Sequence, residues 1–535
     1  MTWQPDSLQA PLLTLADAVA THARLSPQKI AVRDSRRQLD YREWDERATQ
    51  LAAALRGMGL VRGARVGVIA YNCLEWMEIY VALARAGLVI VPLNFRLTGP
   101  EIAYILEHAE VAGVIAGPQF CATLDGIRYQ LAITAGRWIT LSHSSHDPIA
   151  KGWVAYEALM AQFSPSELPA RLNALEPVGA QDVCALMYTS GTTGRPKGAI
   201  RSHGGNALIA MATALEMGFT RDDIALLVMP LCHANSLYFG STFVHLGATC
   251  IIDDSPSFDA QALLKILAED RVTFTSLVPT HYIMLMALAD DIKRRYDLSA
   301  VGKLMISSAP ARPETKRGIM ELFPNGRLYE LYGSTETGWV TLLHPDEQLR
   351  KLGSVGREWA GSGAIRLLDE QRREVADGQV GELFSRTSYV FAGYWKNIEK
   401  TLDAFCGAWC SVGDMARRDE DGYIWLVDRK SNMIISGGEN IYPSEVEAVL
   451  GQHPKVRDVA VIGVPHDKWG ETAKAIIVLH VGHSLEQAEL RAWCRERLAS
   501  FKCPSSFDFI SDEQMPRTAT GKILHRVLRQ SDATI

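Results

Sequence analysis

The sequence predicts an α/β fold: a large N-terminal part of βα-type sheets flanked by helices, followed by a smaller α+β part. Three observations carry that prediction. Buried strands and amphipathic helices alternate from Leu15 to about Gly113 and again beyond residue 200, a spacing that favours a parallel sheet covered by helices. A chain of 535 residues is too long for one hydrophobic core and corresponds to about three or four domain-sized units. After Arg429 the composition changes, and short strands mix with amphipathic helices.

Composition narrows the function classes. With 47% hydrophobic residues the chain can build large cores, while 22% charged residues and a formal net charge of -6 give no sign of a nucleic-acid-binding surface. Met1-Thr2-Trp3-Gln4-Pro5-Asp6 lacks the basic head and apolar core of a signal peptide. The most apolar run, Ile79 to Leu93, is broken by Arg85. A cytoplasmic protein without a membrane span is expected. Nine cysteines, an odd number without repeated close pairing, point to reduced thiols. Cys406 and Cys410 have no second pair to complete a zinc site and read as ordinary thiols.

Taken in order, Asp40 to Trp44 opens an amphipathic helix running to Leu55, and Arg65 to Ala70 reads as a buried strand. Glu75 to Ala84 is helical and Leu88 to Pro92 is a short strand, which completes a βαβ unit. Residues 114–180 carry loops and no assignable chemistry. Strands follow at Val183 to Met187, Ile224 to about Met229, Gly247 to Ile252 and Val272 to Val278. Met305 to Pro310 reads as strand then turn, and Leu328 to Gly338 as strand then polar loop. Asp421-Gly422 between alternating apolar runs is a hairpin turn. In the last part, Val459 to Val464 and Ala475 to Val481 read as strands, and Glu445 to Leu450 and Glu486 to Ala499 as helices. Pro443-Ser444-Glu445 reads as a capped helix start.

The stretch most charged with chemistry is Tyr188-Thr189-Ser190-Gly191-Thr192-Thr193-Gly194-Arg195-Pro196-Lys197-Gly198, directly after a strand. Its glycines let the backbone approach an anion closely. Thr189, Ser190, Thr192 and Thr193 offer hydroxyl donors beside the backbone N–H groups, and Lys197 adds a point charge. It is built to hold polyphosphate. It is not a Walker loop, because Pro196 precedes Lys197 and Gly198 follows it.

This stretch resembles the signature loop of the adenylate-forming superfamily, which contains the acyl- and aryl-CoA synthetases, the luciferases and the adenylation domains of peptide synthetases. Further segments resemble that family in order and at similar spacing, among them Ala86 to Asn94. The resemblance implies that Thr189, Ser190, Gly191, Thr192, Thr193, Gly194 and Lys197 hold the ATP phosphates. It places Ser308, Ala309 and Pro310 beside adenine, Tyr332 on the base with Gly333 and Ser334 next to it, and Thr335 near the α-phosphate. Glu336 would bind Mg²⁺, since a carboxylate at a phosphate site is repelled unless a cation intervenes. Asp414 would grip the ribose hydroxyls, for which a carboxylate is a good double acceptor, and Arg429 would add a nucleotide contact.

The segment from Met229 to Ser236 resembles the family's acyl-pocket lining, which implies that His233, Asn235 and Ser236, with Trp339, face the acid. The same resemblance places a domain boundary near Arg429. Residues 1–429 would bind ATP and acid; residues 430–535 would form a mobile domain turning about Ser431, where the family usually has Asp or Lys. On that second part, Ser436, Gly437, Gly438 and Glu439 would line the path of CoA, and Lys522, in Pro516-Arg517-Thr518-Ala519-Thr520-Gly521-Lys522, would act in adenylation. Lys522, Thr335, Glu336 and Lys197 are thus the expected catalytic groups.

The implied activity is an ATP- and Mg²⁺-dependent acyl- or aryl-CoA synthetase with a carboxylic acid, ATP and CoA as substrates, and a homodimer as the common default. Two alternatives stay open. One is transfer to a carrier-protein phosphopantetheine, although no carrier domain is expected because the chain ends shortly after Lys522. The other is a decayed nucleotide-binding protein. The polar pocket fits an aromatic or short functionalised acid as well as a fatty acid.

Overall fold

The computed structural model describes residues 14–141, 149, 151–162, 177–189, 195–307, 311–436, 439–466, 468–518 and 521–532. The chain divides into two compact units. The first comprises Met1–Arg350, Glu358–Gly363 and Arg386–Asp403, and the second Lys351–Arg357, Ala364–Ser385 and Ala404–Ile535. The boundary at 429/430 expected from sequence falls inside the second unit, because a four-stranded sheet built from residues 366–429 groups with the C-terminal residues.

Two sheets organise the first unit. A seven-stranded sheet runs in the order Val154–Ala155, Trp138–Thr140, Val111–Ala116, Arg65–Ile69, Val89–Pro92, Val183–Thr189 and Lys197–Ser202. All its pairs are parallel except the last, an antiparallel hairpin that sets Thr189 opposite Lys197. Residues 114–180, which sequence left without structure, thus supply edge strands. At two or three residues, Val154–Ala155 and Trp138–Thr140 are too short for alternation to show.

The second sheet has a parallel centre, Arg327–Ser334, Lys303–Ile306, Phe274–Leu277, Ile224–Leu227, Thr249–Ile252 and Ile30–Arg33 in spatial order. Gly338–Leu343 and Gln38–Asp40 flank it antiparallel. Between the sheets lie helices whose burial explains their composition. Tyr41–Gly57 is started by a reciprocal Asp40/Glu43 capping box and buries Trp44 completely. Glu75–Ala86 is buried almost all round and includes two acids. Glu75 and Glu78 are tolerated there because Arg36, Arg37 and Arg47 pair with them.

In the second unit, Arg366–Leu368, Gly381–Phe384, Asp414–Arg418 and Ile424–Arg429 form an antiparallel sheet. The expected Asp421-Gly422 turn joins the last two strands, with Gly422 at φ 82°. A five-stranded sheet follows. Its long hairpin Val456–His466/Gly470–Leu479 starts earlier in both strands and runs further at its turn than the alternation had indicated, while the second strand ends at Leu479 rather than Val481. Two expectations are corrected here. The helix Pro443–Leu450 has Tyr442 at its N-cap with no side-chain cap; the Asp428 carboxylate instead accepts from Ser444 N–H at 2.8 Å. The helix expected to reach Ala499 spans Gln487–Arg495, because the N–H groups of Arg497 and Leu498 both turn back to Cys494 O. Among the described residues no helix is long and apolar enough to cross a membrane.

Candidate active site

In the first unit the antiparallel hairpin holds the two ends of the expected phosphate loop in register. Thr189 closes the incoming strand and Lys197 opens the outgoing one, paired across the ladder. Ser190, Gly191, Thr192, Thr193 and Gly194 lie outside the described residues. Glu336 comes to the same place from the other sheet. It sits in the turn Thr335–Thr337 between strands Arg327–Ser334 and Gly338–Leu343. That turn is tight because Gly333 lies against the returning strand: a Cβ there would stand 2.3 Å from Gly338 O. Ser334 Oγ and Thr337 Oγ1, 2.8 Å apart, brace it.

Glu336 is 6% exposed. Thr189 Oγ1 and Tyr394 OH each donate to its Oε1 at 3.0 Å. Its Oε2 carries no hydrogen bond to any described residue. A buried carboxylate anchored through one oxygen by two neutral hydroxyls, with the other oxygen unused, suits a cation ligand. These residues therefore fit Mg²⁺, with Glu336 as the group that would hold it.

Two residues of this cluster escaped the sequence reading. Arg201, 1% exposed, donates from Nη1 to the carbonyls of Thr335 and Glu336, both at 3.3 Å, and so fixes the turn from behind. A charged residue inside the strand Lys197–Ser202 was the available signal. Tyr394 arrives on the segment Ala392–Trp395, which bonds along the hairpin: Ile200 N donates to Gly393 O, Ala392 N to Ile200 O and Trp395 N to Gly198 O. Gly393 permits this course, with φ 131° and Thr401 Cγ2 only 2.8 Å from where a Cβ would be. The Lys197 ammonium lies 4.2 Å from the centre of the Tyr394 ring.

Tyr332, Gly333, Ser334 and Thr335 are partly exposed at the end of their strand. Ser308, Ala309 and Pro310 lie outside the described residues, but the residue before them, Ser307, ends the neighbouring parallel strand. Ligands of open α/β sheets sit at these carboxyl ends. Asn235 Nδ2 donates there to Ser307 Oγ at 2.7 Å and to Ser276 Oγ at 3.2 Å. His233 caps the helix Ala234–Leu246, and its Nε2 is buried without a partner among the described residues. Burial, and then the Arg96 cation, push its pKa down to about 4, so the ring is neutral at pH 7. Ser236 Oγ donates to Met229 O at 2.5 Å, and Trp339 Nε1 donates to Thr213 Oγ1 at 3.0 Å. Asn235→Leu removes the amide donor from both serine hydroxyls, leaving them, among the described residues, only the 3.4 Å contact with each other. It should cost about 1–3 kcal/mol of stability and move acid preference towards alkyl chains. A denaturation curve and an acid panel measure both, and an unchanged ranking of acids removes Asn235 from the pocket lining.

In the second unit, Asp414 and Arg429 pair across a ladder, Oδ1 to Nε 3.1 Å. Ser431 is exposed in a turn, and its carbonyl accepts from Arg529 Nη1 at 2.9 Å. Ser436 and Glu439 face each other in a hairpin, and Gly437 and Gly438 between them lie outside the described residues. Lys522 is presented by a tight loop in which Thr518 N donates to Lys522 O at 2.7 Å and Lys522 N to Thr518 Oγ1 at 3.1 Å. The side chain keeps exposed surface, yet crowding around its ammonium, then Arg429, hold its pKa below the usual lysine value, against Asp414 and Asp428.

Residues 19–395 match the AMP-binding enzyme family, and residues 445–522 match the AMP-binding enzyme C-terminal domain. The chain is 33% identical over 521 residues to an indoleacetate–CoA ligase of Aromatoleum aromaticum, covering 97% of this chain and 98% of the relative. It is 36% identical over 514 residues to a feruloyl-CoA synthase of Amycolatopsis, covering 95% and 97%. A crystal structure of an anthranilate CoA ligase with anthranoyl-AMP superposes with a TM-score of 0.85 at 25% identity, over 99% of this chain and all of that one. From matches that together span nearly its whole length, the chain belongs to the AMP-binding enzyme family, the adenylate-forming acyl- and aryl-CoA synthetases.

Proposed function

We propose that this AMP-forming acid–thiol ligase activates an aryl or short functionalised carboxylic acid and passes it to free CoA. What supports the reading is the convergence of Thr189, Lys197 and Glu336 at the ends of one hairpin and one turn, in a chain whose relatives are CoA ligases end to end. In the first half-reaction a carboxylate oxygen attacks the α-phosphorus of ATP, the bond to the bridging oxygen breaks, and pyrophosphate leaves. In the second, the CoA thiolate attacks the acyl carbon and AMP departs with the carboxylate oxygen, the thiol proton going to solvent.

The chain's own groups act by position and charge. Lys197 and the hydroxyls and N–H groups of residues 189–194 hold the phosphates, and Thr335 meets the α-phosphate. Ser308, Ala309, Pro310 and Tyr332 hold adenine, and Asp414 with Arg429 holds ribose. Lys522 stabilises charge developing on the α-phosphate. Glu336 would hold Mg²⁺, which would supply charge neutralisation for the phosphates. For the second step, residues 430–535 turn about Ser431 so that Ser436, Gly437, Gly438 and Glu439 line the pantetheine path. His233, Asn235, Ser236 and Trp339 border the acid; the polar Asn235–Ser276–Ser307 cluster favours a substituted acid over a plain alkyl chain. We place the enzyme in the cytoplasm, as a homodimer.

Pyrophosphate release with a panel of acids, with and without CoA, tests this. Acid-dependent release followed by a CoA-dependent thioester is expected; release with a thioester formed only on a carrier protein supports the alternative acceptor, and no release with any acid contradicts the proposal. Glu336→Gln should slow acyl-AMP formation at limiting Mg²⁺ by at least about tenfold, roughly 1.4 kcal/mol. An unchanged rate there removes Glu336 from the metal site.

A further inference from the structure

Tyr394 stands between the two charges on which the phosphate site depends, and it serves each with a different part of its side chain. Its hydroxyl donates to Glu336 Oε1 at 3.0 Å, and its ring face lies 4.2 Å from the Lys197 ammonium. The tyrosine is 7% exposed. Its backbone is held by Thr401, whose Oγ1 accepts from Tyr394 N at 2.9 Å, and by its bridge to Ala199 on the hairpin. The ring therefore has little freedom to leave.

The Glu336 carboxylate also receives Thr189 Oγ1 at 3.0 Å on that same oxygen. Two hydroxyls on one oxygen fix the carboxylate plane and leave Oε2 as the oxygen that can turn to a cation. A phenol is a neutral donor, so it orients the carboxylate without cancelling the negative charge a cation needs; a lysine or arginine there would compete with the metal. The ring quadrupole in turn attracts an ammonium over its face. Lys197 is thereby held beside the ring where the outgoing strand of the hairpin begins.

We propose that Tyr394 is a positioning residue with two separable roles: its hydroxyl, together with Thr189, sets Glu336 for the divalent cation, and its ring holds Lys197 for the ATP phosphates. The proposal rests on the functional reading above. It separates the metal and nucleotide contributions by chemistry, because Tyr394→Phe deletes the hydroxyl and keeps the face, whereas Tyr394→Leu deletes both.

The test uses the full chain without any acid, so that ATP binds and is not consumed. ATP affinity is measured by calorimetry in EDTA, and Mn²⁺ affinity of the ATP-bound protein by electron paramagnetic resonance. Tyr394→Phe should weaken Mn²⁺ at least about fivefold, an effect of about 1 kcal/mol by the tenfold rule, with metal-free ATP affinity within about twofold of the wild type. Tyr394→Leu should weaken both. Thermal unfolding of the phenylalanine variant should show a folded chain with a midpoint lowered only by the one lost buried hydrogen bond, whereas a purely structural role for the hydroxyl would lower metal-free ATP affinity together with Mn²⁺ affinity. Wild-type Mn²⁺ affinity in Tyr394→Phe overturns the metal role whether or not the leucine variant folds. Equal loss of metal-free ATP affinity in Phe and Leu variants overturns the separation of roles. A wild-type chain that binds no ATP overturns the functional reading itself, a result distinct from either.

Discussion

Lys522→Ala is expected to stop acyl-AMP formation while leaving thioester formation from supplied acyl-AMP intact. The lysine stands on the tight loop closed by Thr518, so the backbone that presents it does not depend on the side chain being tested. In the proposed mechanism its charge acts while the α-phosphate is attacked, and loss of one such stabilising group costs about a hundredfold to a thousandfold, or about 3–4 kcal/mol. The sign of its pKa shift adds a pH signature. An ammonium held below the ordinary lysine value loses its proton earlier as pH rises, so adenylation should decline on the alkaline side before an unperturbed lysine would titrate. The thioester step should not follow that decline.

Gly438→Leu should do the reverse. The strands Ile434–Ser436 and Glu439–Ile441 leave only positions 437 and 438 between them, and the absent glycine side chains are proposed to make room for the pantetheine chain. A leucine there should slow the CoA step by at least about a hundredfold, about 2.7 kcal/mol, while pyrophosphate release stays near wild type. Single-turnover kinetics of each half-reaction for both variants measures this. Damage to the same half-reaction by both substitutions would end the account of a C-terminal domain that turns about Ser431.

Much of this arrangement was legible in the chain because its signals are local. The helix opening at Asp40 to Trp44, the short strand read at Leu88 to Pro92 and found at Val89–Pro92, and the Asp421-Gly422 turn are each decided by a few neighbouring residues, and the structure has each of them. The glycine-rich stretch reads as an anion loop from its own composition, and its residues 190–194 lie outside the described residues. What stayed hidden depends on contacts distant in sequence. Tyr394 lies 58 residues from Glu336 and Arg201 lies 135 from it; a charge inside a strand marks Arg201 as unusual, but no local pattern ties either residue to Glu336. The cap of Pro443–Leu450 was misread for the same reason, since its acceptor, Asp428, belongs to a preceding strand rather than to the helix start. The shortest strands, such as Val154–Ala155, exist only because a neighbouring strand pairs with them.

The route through an acyl adenylate is tested most directly by the fate of the acid's oxygen. An acid that the panel identifies as substrate is labelled with ¹⁸O at both carboxylate positions and carried through one complete turnover with ATP and CoA, and the products are weighed by mass spectrometry. Attack of the carboxylate on the α-phosphorus followed by thiol displacement delivers one labelled oxygen to AMP for every thioester formed and none to pyrophosphate. Unlabelled AMP, or label in pyrophosphate or inorganic phosphate, would contradict the adenylation chemistry assigned to Lys197, Thr335, Glu336 and Lys522.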